Sequence, residues 1–217
     1  MRRVASLAAV IALFHMAPPS AGAQLAVLDR LQVVSLGIGA GSVAPSQVDP
    51  TTIFVLGSDY GEISPAWRIV FRTTYWESMF KASVVDAFAD TLQKNLVDPT
   101  ATTVRRTPVT LYDATFAIGA RRLLMPRSDI TPYFSGGVAA HVINAEGSLI
   151  KGTFVERALD DIAAGVFAEG GVRIRLMHRL LLEGSVRGDL LSGFRSTQWY
   201  AMGSYFFGEP RRGGSGK

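Results

Sequence analysis

The chain has 217 residues, 22 basic and 18 acidic side chains, and no cysteine, so neither a disulfide framework nor a thiolate metal site can form. Its formal charge of +4 belongs to the ends: two basic residues lie in the first 23 positions and three in the last ten. Between Gln24 and Phe207, 17 basic residues face 17 acidic ones, without the basic excess expected of a nucleic-acid binder.

The first 23 residues read as an export signal. Arg2 and Arg3 precede an apolar stretch from Val4 to Ala17, and Ala21-Gly22-Ala23 is an A-x-A cleavage site. The apolar stretch is shorter than the roughly 20 residues of a spanning helix, which argues against an uncleaved anchor. The remainder, 24–207, is long enough for one domain. It holds no apolar run of 18 residues, so a membrane protein made from it must be a closed barrel, the alternative that satisfies every backbone group in lipid.

Alternation with period two predicts eight strands near 31–43, 51–60, 66–77, 107–123, 130–143, 161–177, 180–191 and 197–207. The first contains Gly37, Gly39 and Gly41, which superficially suggest a nucleotide loop. No P-loop lysine or following helix accompanies them, and close strand packing suffices. The second rests on Thr52-Ile53-Phe54-Val55-Leu56, with Asp59 to Pro65 expected as a short turn. After the third strand comes a long connection, about Ser78 to Arg106. Trp76, Met79, Phe80, Val84, Phe88, Leu92 and Leu96 recur there at helical spacing and predict an amphipathic helix packed over the barrel rim.

In the fourth strand Tyr112, Ala114, Phe116, Ile118 and Ala120 share one face, and Asp113, Thr115, Ala117, Gly119 and Arg121 the other. A short turn, Met125 to Asp129, leads to the fifth strand, and a second long loop of about Ala145 to Asp160 follows it, with a helical turn expected at 152–161. In the sixth strand Ile162, Val166, Val172, Ile174 and Leu176 oppose Glu169, Arg173 and Arg175. The seventh sets Leu180, Leu182, Val186 and Leu190 against Glu183, Arg187 and Asp189. Short turns on one side and long loops on the other are the asymmetry of outer-membrane barrels.

A soluble, lipocalin-like barrel would show the same alternation, but its outer polar face would be rich in lysine and glutamate. Here the lysines are Lys81, Lys94, Lys151 and Lys217, none in a predicted strand. The polar faces instead carry small residues and a few Arg, Glu and Asp, which suits the narrow lumen of eight strands. Aromatics near strand ends (Trp67, Tyr75, Trp199, Tyr205, Phe207) suit interfacial girdles.

The closing segment, in which Trp199, Ala201, Gly203, Tyr205 and Phe207 share a face, resembles the last strand of bacterial outer-membrane barrels. The fifth strand, Thr131-Pro132-Tyr133-Phe134-Ser135-Gly136-Gly137-Val138-Ala139, is similar to a recurring strand of the OmpA/OmpX-like outer membrane protein β-barrel superfamily. The resemblance covers nearly all of 24–207 in layout. It implies a monomeric, all-β, eight-stranded antiparallel up-and-down transmembrane barrel in the cell outer membrane, with both termini periplasmic. Its partners would be outer-membrane lipid and the barrel-assembly machinery that reads the terminal aromatic. The family's last residue is usually that aromatic; here a Gly-, Pro- and Arg-rich tail, 208–217, follows Phe207 and reads as disordered.

The sharpest constellation is a lumen charge ladder. A three-residue turn, Met177 to Arg179, keeps inward residues opposite inward ones and places Glu169 opposite Arg187 and Arg173 opposite Glu183. Buried charges need partners, so these four are assigned a structural plug role, the alternative being a gated polar path. Some outer-membrane barrels are lipid A deacylases whose motif is His followed two residues on by Ser. After His141 that position is Ile143, so the motif is broken and no catalytic residue is assigned. His178 falls in a turn, and neither a metal site nor a cofactor is expected. The sequence points to a non-enzymatic role in surface structure, adhesion or loop-mediated binding, with no ligand specified. The alternatives are a lipid-modifying barrel enzyme and a soluble periplasmic binding barrel.

Overall fold

The computed structural model describes residues 32–64, 66–95, 108–147, 161–192 and 194–208. The expected export signal, residues 96–107 and 148–160, and those beyond 208 lie outside them. The strands are β1 (Val33–Pro45), β2 (Thr51–Ser64), β3 (Trp67–Met79), β4 (Thr110–Leu123), β5 (Ile130–Glu146), β6 (Asp161–Arg175), β7 (Leu180–Leu191) and β8 (Phe194–Phe206); one helix, α1 (Ala82–Asn95), follows β3. Each strand pairs antiparallel with the next, and β1 with β8, closing an up-and-down barrel. A row of paired residues starting at Ser35 passes through Asp59, Val70, Gly119, Gly137, Phe167, Asp189 and Ser196 and returns at Pro45, ten residues further on. That stagger is the shear that makes the strands tilt.

The faces sort apolar outward and polar inward. Ile162 is 74% exposed and Ile38 72%, and Val138, Val166, Val172 and Leu176 are exposed with them, whereas Glu169, Arg173, Glu183 and Arg187 are buried. This is the opposite of a water-soluble barrel. At about 3.3 Å per residue and a tilt of about 40°, the outward apolar run from Ile130 to Val142 rises about 30 Å, enough for the apolar band of a membrane barrel. Aromatic pairs mark the short-turn end: Trp67 packs edge-on against Phe134 at 5.9 Å and Tyr205 against Phe207 at 5.4 Å.

The inward glycines of β1 make room for large side chains of β8. Gly39 pairs with Met202 and Gly41 with Tyr200. A Cβ on Gly41 would lie 1.9 Å from the Trp199 carbonyl oxygen, and one on Gly39 2.3 Å from that of Ala201. Elsewhere the same small-against-large device sets Gly57 beside Arg72 and Gly171 beside Tyr133. These glycines are packing residues, as expected for GIGAGS in a strand rather than a phosphate loop.

Three expectations are corrected. The turn expected over Asp59 to Pro65 is displaced: Asp59 to Ser64 belongs to β2, and Ala66, just ahead of β3, has φ 66°. The helix is shorter than the apolar stripe suggested. Trp76 and Met79 belong to β3, whose ladder with β4 runs to Met79↔Thr110, and Trp76 points into the lumen; a helix beginning there would forfeit those ladder bonds. Within α1, Ala89 is buried while Phe88 is exposed, so the buried line is rotated from the one expected. The strand ends also shift, β5 reaching Glu146 and β8 beginning at Phe194, because the ladders persist into the expected loops.

Candidate functional site

Polar and apolar clusters alternate along the lumen. The larger polar cluster, towards the short-turn end, is built on three carboxylates and three arginines, Asp59, Glu169, Glu183, Arg72, Arg121 and Arg173. Each projects inward because it occupies the lumen parity of its strand. Arg121 donates to Glu169 at 2.9 Å, to Glu183 at 3.0 Å and to Asp59 at 3.4 Å. Arg173 donates through Nε to Glu183 at 2.9 Å and through Nη2 to Asp59. Arg72 bonds Asp59 at 3.3 Å and Glu183 at 3.5 Å. Hydroxyls complete the shell: Tyr133 donates to Glu169 at 3.0 Å and Tyr200 to Glu169 at 2.9 Å. The Arg121 guanidinium also lies 3.9 Å from the Tyr133 ring centre. Equal numbers of opposite charges, each with several partners, make such burial tolerable.

This cluster spans the lumen. Arg72 on β3 meets Glu183 on β7, and Arg173 on β6 meets Asp59 on β2. In a ring of eight strands, partners four strands apart stand diametrically opposite, so both ion pairs cross the axis. Towards the loop end, Val43, Ile53, Trp76, Leu111, Ala145 and Phe194 form a second, apolar layer, with Trp76 stacked on Phe194 at 6.3 Å.

Between the two layers stands the second polar group. Arg187 bonds Asp189 at 2.6 Å and lies 4.2 Å from the Phe167 ring, and Gln198 donates to Asp189 at 2.8 Å. Nearby on β4 and β5, His141 Nδ1 is 2.9 Å from Asp113, which also accepts from Thr115 at 3.1 Å. His141 is fully buried inside the barrel, and its Nε2 has no partner among the described residues. A buried imidazole held by a carboxylate has the orientation of a catalytic dyad, but here it faces a packed lumen, away from the outer wall where a lipid substrate would lie. His178 sits in the β6–β7 turn. No group of three possible metal ligands occurs among the described residues.

The register sets Glu169 opposite Arg187 and Arg173 opposite Glu183, the alignment derived from turn parity. Of the two expected ion pairs, Arg173–Glu183 is present, whereas Glu169–Arg187 is not among those observed. Glu169 is taken by Arg121, Tyr133 and Tyr200, and Arg187 by its strand neighbour Asp189. Cross-strand opposition fixes which residues are near; the curvature of a small barrel then lets longer side chains from other strands reach them first. Asp59 went unassigned because its segment read as a turn, although its alternation with Val55 and Gly57 signals an inward position. Arg72 and Tyr133 carried the same parity signal in their own strands.

No protein-family model and no curated protein matches the chain. Among solved structures, the chain is similar to Neisserial surface protein A, NspA, at 14% identity and a TM-score of 0.51, covering 80% of this chain and 96% of that one. It is also similar to Ail, the attachment invasion locus protein of Yersinia pestis, at 9% identity and a TM-score of 0.46, covering 81% and 97%. The outer membrane protein OprG from Pseudomonas aeruginosa gives 14% and 0.46, covering 82% and 98%. At these identities the likeness concerns the fold, and in its closed eight-stranded layout, apolar outside and polar within, this chain shares the fold of the small OmpA/OmpX-like outer-membrane barrels.

Proposed function

We propose that this chain is a monomeric, non-enzymatic barrel of the bacterial outer membrane, closed to solutes, that anchors its long loops and α1 at the surface for structural, adhesive or binding purposes. The observation that carries this reading is the pair of ion pairs crossing the axis, Arg72–Glu183 and Arg173–Asp59. They turn the lumen into a core, so the part of the molecule left to meet other molecules is its loop end. The location is supported by the apolar outer wall and aromatic girdles, and passage through the barrel-assembly machinery by the aromatic face of β8. The placement of His141 inside the lumen supports the non-enzymatic reading.

Heat-modifiable gel migration with membrane fractionation tests the location, and planar-bilayer conductance of the purified barrel tests closure. Silence in the bilayer is expected. Steady, pore-sized currents that Arg187→Ala abolishes would overturn the plug, and fatty acid released from lipopolysaccharide or phospholipid would replace the binding role with an enzymatic one.

A further inference from the structure

Two of the three short turns carry the same four-residue pattern. Leu124-Met125-Pro126-Arg127 joins β4 to β5, and Leu176-Met177-His178-Arg179 joins β6 to β7. In both, the leucine and methionine are more than half exposed, Met177 at 69%, and the arginine that follows is exposed. Arg122 and Arg175, at the adjoining strand ends, are exposed too. Among the described residues around this end, four exposed arginines therefore stand against Glu62 and Asp129. At the loop end the sign reverses: Asp49, Glu77, Asp86, Asp90 and Glu146 outnumber Lys81, Lys94 and Arg195 among the described residues.

Two of these arginines touch girdle aromatics. Arg122 lies 5.6 Å from the ring centre of Trp67, and Arg179 donates to the Tyr205 hydroxyl at 2.9 Å. Amphipathic rings of this kind mark the depth of lipid headgroups. Apolar turn residues directed beyond the girdle would be unfavourable in open water, and they suit a turn that rests in the headgroup layer. Guanidinium is the side chain best matched to phosphate, through two parallel N–H···O bonds.

We propose that the short-turn end is a docking collar for anionic phospholipid headgroups, with Arg122, Arg127, Arg175 and Arg179 binding the phosphates and the two Leu-Met turns seated among the glycerol and upper acyl groups. The collar rests on the membrane reading above and adds a leaflet preference to it: the negative phospholipid gathers around one end of the barrel only.

The full-length chain, refolded into phosphatidylcholine vesicles, allows a test with native tryptophans. Trp76 is sealed in the lumen, so Trp199→Phe leaves Trp67 as the outward reporter at the collar, and Trp67→Phe leaves Trp199 away from it. Quenching by brominated phosphatidylglycerol is compared with quenching by brominated phosphatidylcholine. At Trp67 an anionic preference of about fivefold is expected, falling to near unity in 1 M salt or in the triple variant Arg127→Gln/Arg175→Gln/Arg179→Gln. Trp199 should be quenched equally by both lipids. Equal quenching at Trp67, or a preference that survives the triple variant, overturns the collar. Absence of quenching at Trp199 by either lipid would instead overturn membrane insertion, so the two failures are distinguishable. Heat-modifiable migration of the triple variant verifies that it has folded.

Discussion

Glu183 is where the lumen network is most exposed to a single change. Its carboxylate, 1% accessible, accepts from Arg173 at 2.9 Å, Arg121 at 3.0 Å, Tyr133 at 3.4 Å and Arg72 at 3.5 Å. Glu183→Gln preserves shape, removes the charge and turns an amide N–H₂ towards guanidinium donors. Three arginines, Arg72, Arg121 and Arg173, are then left against Asp59 and Glu169. Hydrogen bonds to charged groups are worth about 1.5–3 kcal/mol each, but they share donors here and do not add. Breaking one partner out of a buried charge network costs about 3–5 kcal/mol, two to nearly four decades in the folding equilibrium. The assay is reversible urea unfolding from lipid vesicles, followed by tryptophan fluorescence and gel migration. Arg173→Gln and the double variant complete a cycle, with a coupling of about 1–3 kcal/mol expected in favour of the double variant. A Glu183→Gln barrel within about 0.5 kcal/mol of the parent, or a double variant whose loss equals the sum of the singles, would refute the claim that these side chains act as one core.

Other substitutions probe the two faces separately. Gly41→Ala should lose more than about 3 kcal/mol, or fail to close, because its Cβ would lie 1.9 Å from the Trp199 carbonyl oxygen. Outward-facing Gly184, whose added Cβ meets nothing within 4 Å, should accept alanine within about 0.5 kcal/mol; the two are compared by urea midpoint. Val166→Arg, placed in the middle of the apolar wall, should cost about 2–4 kcal/mol in vesicles, and Val138→Arg opposite it on β5 a similar amount. If either is neutral in folding titrations, the wall does not face lipid. Tyr133→Phe removes one hydroxyl that touches Ser185 at 2.5 Å and Glu169 at 3.0 Å, and should cost about 1–3 kcal/mol with gel migration unchanged.

Much of this architecture is written locally. A strand exposes alternate residues to opposite faces, so Ile162, Val166 and Val172 against Glu169 and Arg173 define two surfaces without knowledge of any partner strand. Parity across a three-residue turn extends that reasoning one strand further, which is why the opposition of Glu169 to Arg187 and Arg173 to Glu183 is legible. The helix is less so: Trp76 and Met79 satisfy helical spacing with Phe80 and Val84, and only the competing ladder with β4 assigns them to a strand.

Closure decided the rest. Once β1 meets β8 with a stagger of ten residues, strands remote in sequence face one another across a lumen only side chains wide. Asp59 and Arg173, 114 residues apart, become partners, and so do Arg72 and Glu183, 111 apart. Alternation states which side chains point inward, but it carries no term for the distance across the ring or for how far an arginine reaches. The ladder legible along β6 and β7 thus becomes, in three dimensions, a cluster in which Glu169 turns to Arg121 and Arg187 to Asp189.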